Sequence, residues 1–213
     1  MADTTNVTVL IAFYSRGGST EGLAKAIAEG VTSEGGTPVL RRAREIVSRE
    51  IMAKAPGWIE NADRMNAAYE APTEADAESA DAILFGTPTR FGNVSSELKA
   101  WVDSLGGLWF QGKLNGKVGS AFCSTQSVHG GNESTNLTIF NFMAHLGLII
   151  VPPGYGDPAM FRGAGTPYGA SAVSGQDNHL PTPEEVEVAR YQGRRVVQVT
   201  RALKAAGETA TKA

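Results

Sequence analysis

The chain has 213 residues, 42% hydrophobic and 19% charged, an ordinary globular composition with room for one well-cored α/β domain and its insertions. A net charge of −3 without a long basic run argues against a nucleic-acid surface, and no window is apolar enough for a membrane span. The single cysteine, Cys123, excludes an internal disulfide and a cysteine-rich metal site, and fits a reducing, cytoplasmic setting.

Residues 7–14, VTVLIAFY, are apolar nearly throughout, as a strand covered on both faces must be. A hydroxyl- and glycine-rich turn follows, Ser15-Arg16-Gly17-Gly18-Ser19-Thr20. Leu23, Ile27 and Val31 then recur at helical spacing, so residues 19–34 form a helix, closed by Gly35-Gly36. Strand, turn and helix start together make a phosphate site, because the first helical N–H groups are unpaired and carry partial positive charge. Residues 38–41 read as a second strand, with Arg41, Arg42 and Arg44 expected on a solvated edge.

Residues 46–80 lack steady periodicity and read as a short helix and an irregular loop. Thr73 is a helix cap there, with acids in the first turn. Residues 81–86, DAILFG, are the next buried strand, followed by the loop Thr87-Pro88-Thr89-Arg90-Phe91-Gly92-Asn93. Leu98, Trp101, Val102 and Leu105 mark one helix face, and residues 106–110, GGLWF, read as a flexible loop exposing two aromatics. Residues 117–123 are a fourth strand, ending in a third loop from Ser124 to Asn132. A helix over 134–146 is apolar on most sides, which places it deep in the core or at a subunit contact. Residues 148–151 are the fifth strand, residues 154–180 a long insertion. Thr182, Pro183 and Glu185 open the last helix as a capping box, and residues 205–213 are expected to fray.

The order of elements gives a doubly wound parallel sheet in one domain, with ligands held beyond the carboxyl ends of the strands. The loops at 15–20, 87–93 and 124–132 all lie there. The first has no lysine where a triphosphate loop would carry one, which fits a monoester phosphate. The other two offer glycines and amides, suited to a flat heterocycle. No Ser–His–acid set, carboxylate pair or acidic metal cluster appears in them, and His129, His145 and His179 form no zinc motif. Such a protein holds a reactive cofactor.

The Ser-x-x-Gly-x-Thr turn resembles a flavodoxin-type phosphate loop. The segments FGTPTRFGN (85–93), GGLW (106–109), Gly130-Gly131, IIVPPGY (149–155), GTPYGAS (165–171) and ARYQGRRV (189–196) resemble the WrbA family of NAD(P)H:quinone oxidoreductases. The resemblance implies one flavodoxin-like domain over residues 1–213, its core at about 7–203 and its tails disordered. Its sheet would have five parallel strands in the order 2-1-3-4-5, with helices on both faces. It further implies bound FMN, NADH or NADPH as co-substrate, a quinone acceptor and a homotetramer. By position, residues 15–20 would bind the FMN phosphate, and Pro88, Thr89, Arg90, Phe91 and Gly92 would line the isoalloxazine. Ser124, Thr125, Gln126, Ser127, Val128, His129 and Gly130 would wrap its pyrimidine edge. His145 matches a histidine that reaches a flavin site, and Trp109 an aromatic wall for quinone or nicotinamide. Gly17 stands where relatives often have an aromatic residue near the nicotinamide.

The expected reaction is two-electron reduction of quinones by ping-pong hydride transfer through FMN. The alternatives are a flavodoxin-type electron carrier, a flavin-binding regulatory protein without significant reductase activity, and a reductase of azo or nitro compounds.

Overall fold

A strand without charge that alternates its side chains between two faces needs an apolar layer on each. In the computed structural model, which describes residues 6–163 and 165–207, that strand is β1 (Thr8–Phe13). Val9, Ile11 and Phe13 enter one buried layer, and Leu10, Ala12 and Tyr14 the other. The chain continues through α1 (Ser19–Ser33), β2 (Thr37–Arg42), α2 (Arg49–Met52), α3 (Trp58–Ala68), α4 (Glu74–Ser79) and β3 (Ala82–Pro88). It then forms α5 (Ser96–Ser104), α6 (Gly106–Phe110), β4 (Val118–Thr125), α7 (Asn132–His145), β5 (Ile149–Ile150), β6 (Gly169–Val173) and α8 (Pro183–Gly207).

The sheet is parallel and ordered β2-β1-β3-β4-β5, the order expected. It has six strands rather than five. The last position is split: β5 pairs with Val118 and Gly119, and β6 with residues 121–125 of the same strand. The 154–180 segment is therefore not all loop, because residues 169–173 return to the sheet. Gln192 of α8, fully buried, sits at the break. Its side chain accepts from the Ala170 N–H (2.7 Å) and donates to Ser120 Oγ and the Ala121 carbonyl (both 2.7 Å).

On one face α1 and α8 contribute Leu23, Ile27, Val31, Val188, Val196 and Val197. On the other, Leu98, Trp101, Ile139 and Met143 cover Ile83 and Phe85. The two helices of the first layer touch through glycine. A Cβ on Gly30 would lie 2.1 Å from the Arg190 carbonyl oxygen, and one on Gly193 would lie 2.3 Å from that of Ile27.

The Thr73 cap and the Thr182 capping box form as read from the sequence, and the first also closes as a capping box through Asp76. Asp76 N–H donates to Thr73 Oγ1 (3.1 Å), while Glu185 N–H donates to Thr182 Oγ1 (3.3 Å) and the Thr182 N–H returns to Glu185 (2.8 Å). Residues 106–110 form a helical turn instead of a flexible loop, since Trp109 N–H reaches the Leu105 carbonyl and Leu108 is buried beneath. Residues 205–207 continue α8, so that part of the expected fraying does not occur. The remaining tail residues, to which the expectation of disorder also applied, lie outside the described residues.

Candidate functional site

Parallel strands send their carboxyl ends to one edge, and the loops after β1, β3 and β4 meet there around a cleft of about 630 Å³. Ser15, Arg16, Gly17, Ser19 and Thr20 line it from the first loop, Pro88, Thr89 and Arg90 from the second, and Ser124, Thr125 and Gln126 from the third.

The first loop is built for an anion. Gly18 caps α1 in the left-handed region (φ 103°), without a side-chain cap, and its own N–H donates to Ser15 Oγ (3.1 Å). The N–H groups of Arg16, Gly17, Ser19 and Thr20 find no acceptor among the described residues. Ser19 Oγ is buried without a partner. Buried polar atoms left unpaired at a helix start are what a bound phosphate satisfies. These residues therefore fit the phosphate of FMN.

The loops are tied together. Thr20 Oγ1 and Ser124 Oγ share a hydrogen bond (2.8 Å), joining the first to the third. Thr89 N–H donates to the Ser124 carbonyl (2.8 Å), joining the second to the third. Thr135 Oγ1 donates to Thr89 Oγ1 (2.9 Å), which also accepts the Gly92 N–H (3.1 Å). At the loop tip Arg90 and Asn93 exchange backbone hydrogen bonds (2.8 and 3.1 Å). That tight turn holds Phe91 at φ 55°, fully exposed, a strained conformation for a bulky residue.

Behind the phosphate loop lie two buried ionic groups. Arg42, expected on a solvated edge, is fully buried. Its guanidinium donates to the Ser15 carbonyl (2.9 Å) and Asn66 Oδ1 (2.6 Å), pairs with Glu45, and lies 5.4 Å from the Tyr14 ring. Burial, then the nearby charges of Glu97 and Glu45, push the Tyr14 phenol far above its ordinary value. The backbone entering the loop is thus held by a charge that must stay paired. Glu21, in the first turn of α1, accepts from Arg64 (3.0 and 2.6 Å), Tyr69 OH (3.0 Å) and Lys25 (2.9 Å). Burial alone would raise its carboxyl, but the hydrogen bonds from Arg64, Lys25 and Tyr69 outweigh it and hold the group at about 2.

The cleft extends past the sequence-predicted loops. Ala55, Pro56, Gly57, Trp58 and Asn61 form one wall, with Ser174 and Asn178 beside the third loop. Arg16 lies over Trp58, its guanidinium carbon 3.8 Å from the ring centre. Among the described residues, two arginines and no acid line the cleft. The only sequence signal for this wall was the tryptophan itself, in a stretch without period.

The other expected residues fall elsewhere. Gly18, the cap of α1, is not among the lining residues. Phe91, Gly92, Ser127, Val128, His129 and Gly130 are not among the lining residues. Gly130 N–H closes a turn on the Ser127 carbonyl (2.9 Å), which leaves Val128 and His129 exposed. Trp109 and His145 both line a separate hollow of about 240 Å³, with Lys99, Val102, Asp103 and Phe142, which shares no lining residue with the cleft.

A parallel 2-1-3-4-5 sheet with an uncapped phosphate turn after β1 defines a flavodoxin-like protein. Residues 5–156 match the NADPH-dependent FMN reductase family, and the chain belongs to it. It is 43% identical to "NAD(P)H dehydrogenase (quinone) 3" of Rhizobium meliloti, over 92% of each chain. It is 40% identical to the NAD(P)H dehydrogenase (quinone) of Solidesulfovibrio magneticus, over 92% of this chain and 99% of that one. Among solved structures, a WrbA-like flavodoxin protein from Agrobacterium tumefaciens aligns with a TM-score of 0.64 and 25% identity, over 92% of this chain and 98% of that one.

Proposed function

We propose that this chain is an FMN-dependent NAD(P)H:quinone oxidoreductase. The observation that carries the reading is the cleft, where the unpaired N–H groups and the orphaned Ser19 hydroxyl of α1 face two loops that offer backbone polar groups and no nucleophile or base pair. The relatives named NAD(P)H dehydrogenase (quinone) support the substrate classes.

In this reading the N–H groups of Arg16, Gly17, Ser19 and Thr20, with the Ser19 and Thr20 hydroxyls, hold the phosphate. Pro88, Thr89 and Arg90 line the ring, and residues 124–126 take its polar edge. When bound, FMN supplies hydride transfer from nicotinamide to quinone. The protein orients the two substrates, and its N–H dipoles with Arg90 favour negative charge at the ring. One cleft serves both substrates in turn, so double-reciprocal plots are parallel. Trp109 and His145, outside the cleft of their own chain, reach a flavin from a neighbouring copy in a homotetramer. The single buried Cys123 suits a cytoplasmic setting.

The visible spectrum of purified protein tests the reading. NADH or NADPH added without oxygen bleaches the flavin, and benzoquinone restores it. A colourless protein that takes up no FMN refutes it. Ser15→Asp sets a carboxylate inside the cradle and expels the cofactor, and a variant with full flavin absorbance would overturn the phosphate assignment.

A further inference from the structure

One part of the cleft offers a side-chain chemistry distinct from the backbone cradle. Arg16 turns its guanidinium toward α3 and sets it over the Trp58 ring, 3.8 Å from the ring centre. It has five N–H donors, and no hydrogen bond or ion pair engages them among the described residues. Trp58 Nε1–H is buried and unpaired as well. The shelf is fixed, because Arg64 and Tyr69 clamp this segment to Glu21 of α1. Gly17 leaves the neighbouring space open, since a Cβ there would meet nothing within 4 Å. Asn61 adds an amide, and among the described residues no carboxylate lines the cleft to compete.

A planar, pre-oriented cation with a free fork of donors matches a phosphate, which it binds through two hydrogen bonds. Stacking on an indole lowers the rotamer freedom lost on binding. The α1 cradle already serves one phosphate through backbone N–H groups, so this second station is left for another. In the reaction proposed above, on which this inference rests, the ligand with further phosphates is the nicotinamide dinucleotide. We infer that Arg16, held on Trp58, is the phosphate-binding subsite for that dinucleotide. The phosphate is either the pyrophosphate, common to NADH and NADPH, or the 2′-phosphate of NADPH.

The test uses the flavin-loaded enzyme and the Arg16→Gln, Arg16→Lys and Trp58→Ala variants. Flavin content is read from the visible spectrum, and affinities for NAD⁺ and NADP⁺ by calorimetry. Losing a charge-assisted contact weakens binding roughly tenfold to a hundredfold. Arg16→Gln keeps the backbone N–H of the cradle, and once loaded with FMN it is expected to lose that much, with KM for the reduced nucleotide rising in parallel. Arg16→Lys recovers part, since charge remains without the fork, and Trp58→Ala weakens binding although the charge is intact. Equal losses for NAD⁺ and NADP⁺ identify the pyrophosphate, and a loss confined to NADP⁺ identifies the 2′-phosphate. Unchanged affinities in Arg16→Gln, or loss of flavin with unchanged dinucleotide affinity after reconstitution, overturn the inference alone. A parent protein that takes up no flavin removes the reading beneath it.

Discussion

Replacing Glu21 by glutamine removes the charge that anchors α3 to the start of α1. The carboxyl is 4% exposed and is held at about 2 against an ordinary 4.5. At about 1.4 kcal/mol per tenfold change, that difference amounts to about 3 kcal/mol. Arg64 and Lys25 are 50% and 55% exposed, so solvent screens their attraction and the realised value falls to about 1–2 kcal/mol. The sign follows from the depressed value. The stabilisation is complete above the unfolded pKa and disappears as pH drops from about 4.5 to about 2. Urea unfolding of parent and variant at pH 7, 4 and 3 measures it. The expected deficit of about 1–2 kcal/mol at pH 7 shrinks steadily toward pH 3. A variant as stable as the parent at pH 7, or a deficit that stays constant across this range, would refute the reasoning.

Gln192→Leu leaves the Ala170 N–H and the Ala121 carbonyl unpaired in the core, so unfolding by denaturant should show a loss of about 2–4 kcal/mol. A loss below about 0.5 kcal/mol would deny that the amide bridges the break. Gly30→Ala should lower the melting temperature, because its methyl meets backbone at 2.1 Å and α1 must move off α8. Helix propensity alone predicts the opposite, a gain of about 1 kcal/mol, so the sign of the shift decides between them. The Cys123 thiol is fully buried, and burial pushes it up to about 12. A thiol reagent at pH 8 should therefore leave the folded protein unmodified and react only in denaturant, whereas rapid labelling of native protein would place the sulfur near solvent.

Where an element was legible, one physical demand dominated its sequence. The strands at 8–13 and 82–88 are buried on both faces, so nearly every residue is apolar and the run speaks for itself. The three loops were legible because each follows such a strand. Where several weak demands combine, the pattern fails. Residues 169–173, GASAV, have little β propensity, and packing selects their small side chains: a Cβ on Gly169 would lie 2.2 Å from the Ala121 carbonyl oxygen. Arg42 looked like a surface charge because its partners are Glu45, in the loop after β2, and Asn66, from a stretch whose helices carry no clear period. The same stretch hid the Trp58 wall. Two glycines made residues 106–110 read as loop, although the buried Leu108 and the turn's own hydrogen bonds outweigh them.

The divided last strand has a consequence for how the protein could change length. Ile150 stands opposite Gly119, and Gly169 opposite Ala121. Between them Val151 gives its N–H to the Gly119 carbonyl (2.8 Å), and its carbonyl accepts Ser120 Oγ (2.6 Å). Counting along the ladder, Val151 and Gly169 occupy consecutive rungs. The described residues among 152–168 thus use no rung of the sheet, like a cassette spliced into a continuous strand. That stretch can be lengthened, shortened or exchanged while every pairing around it keeps its register.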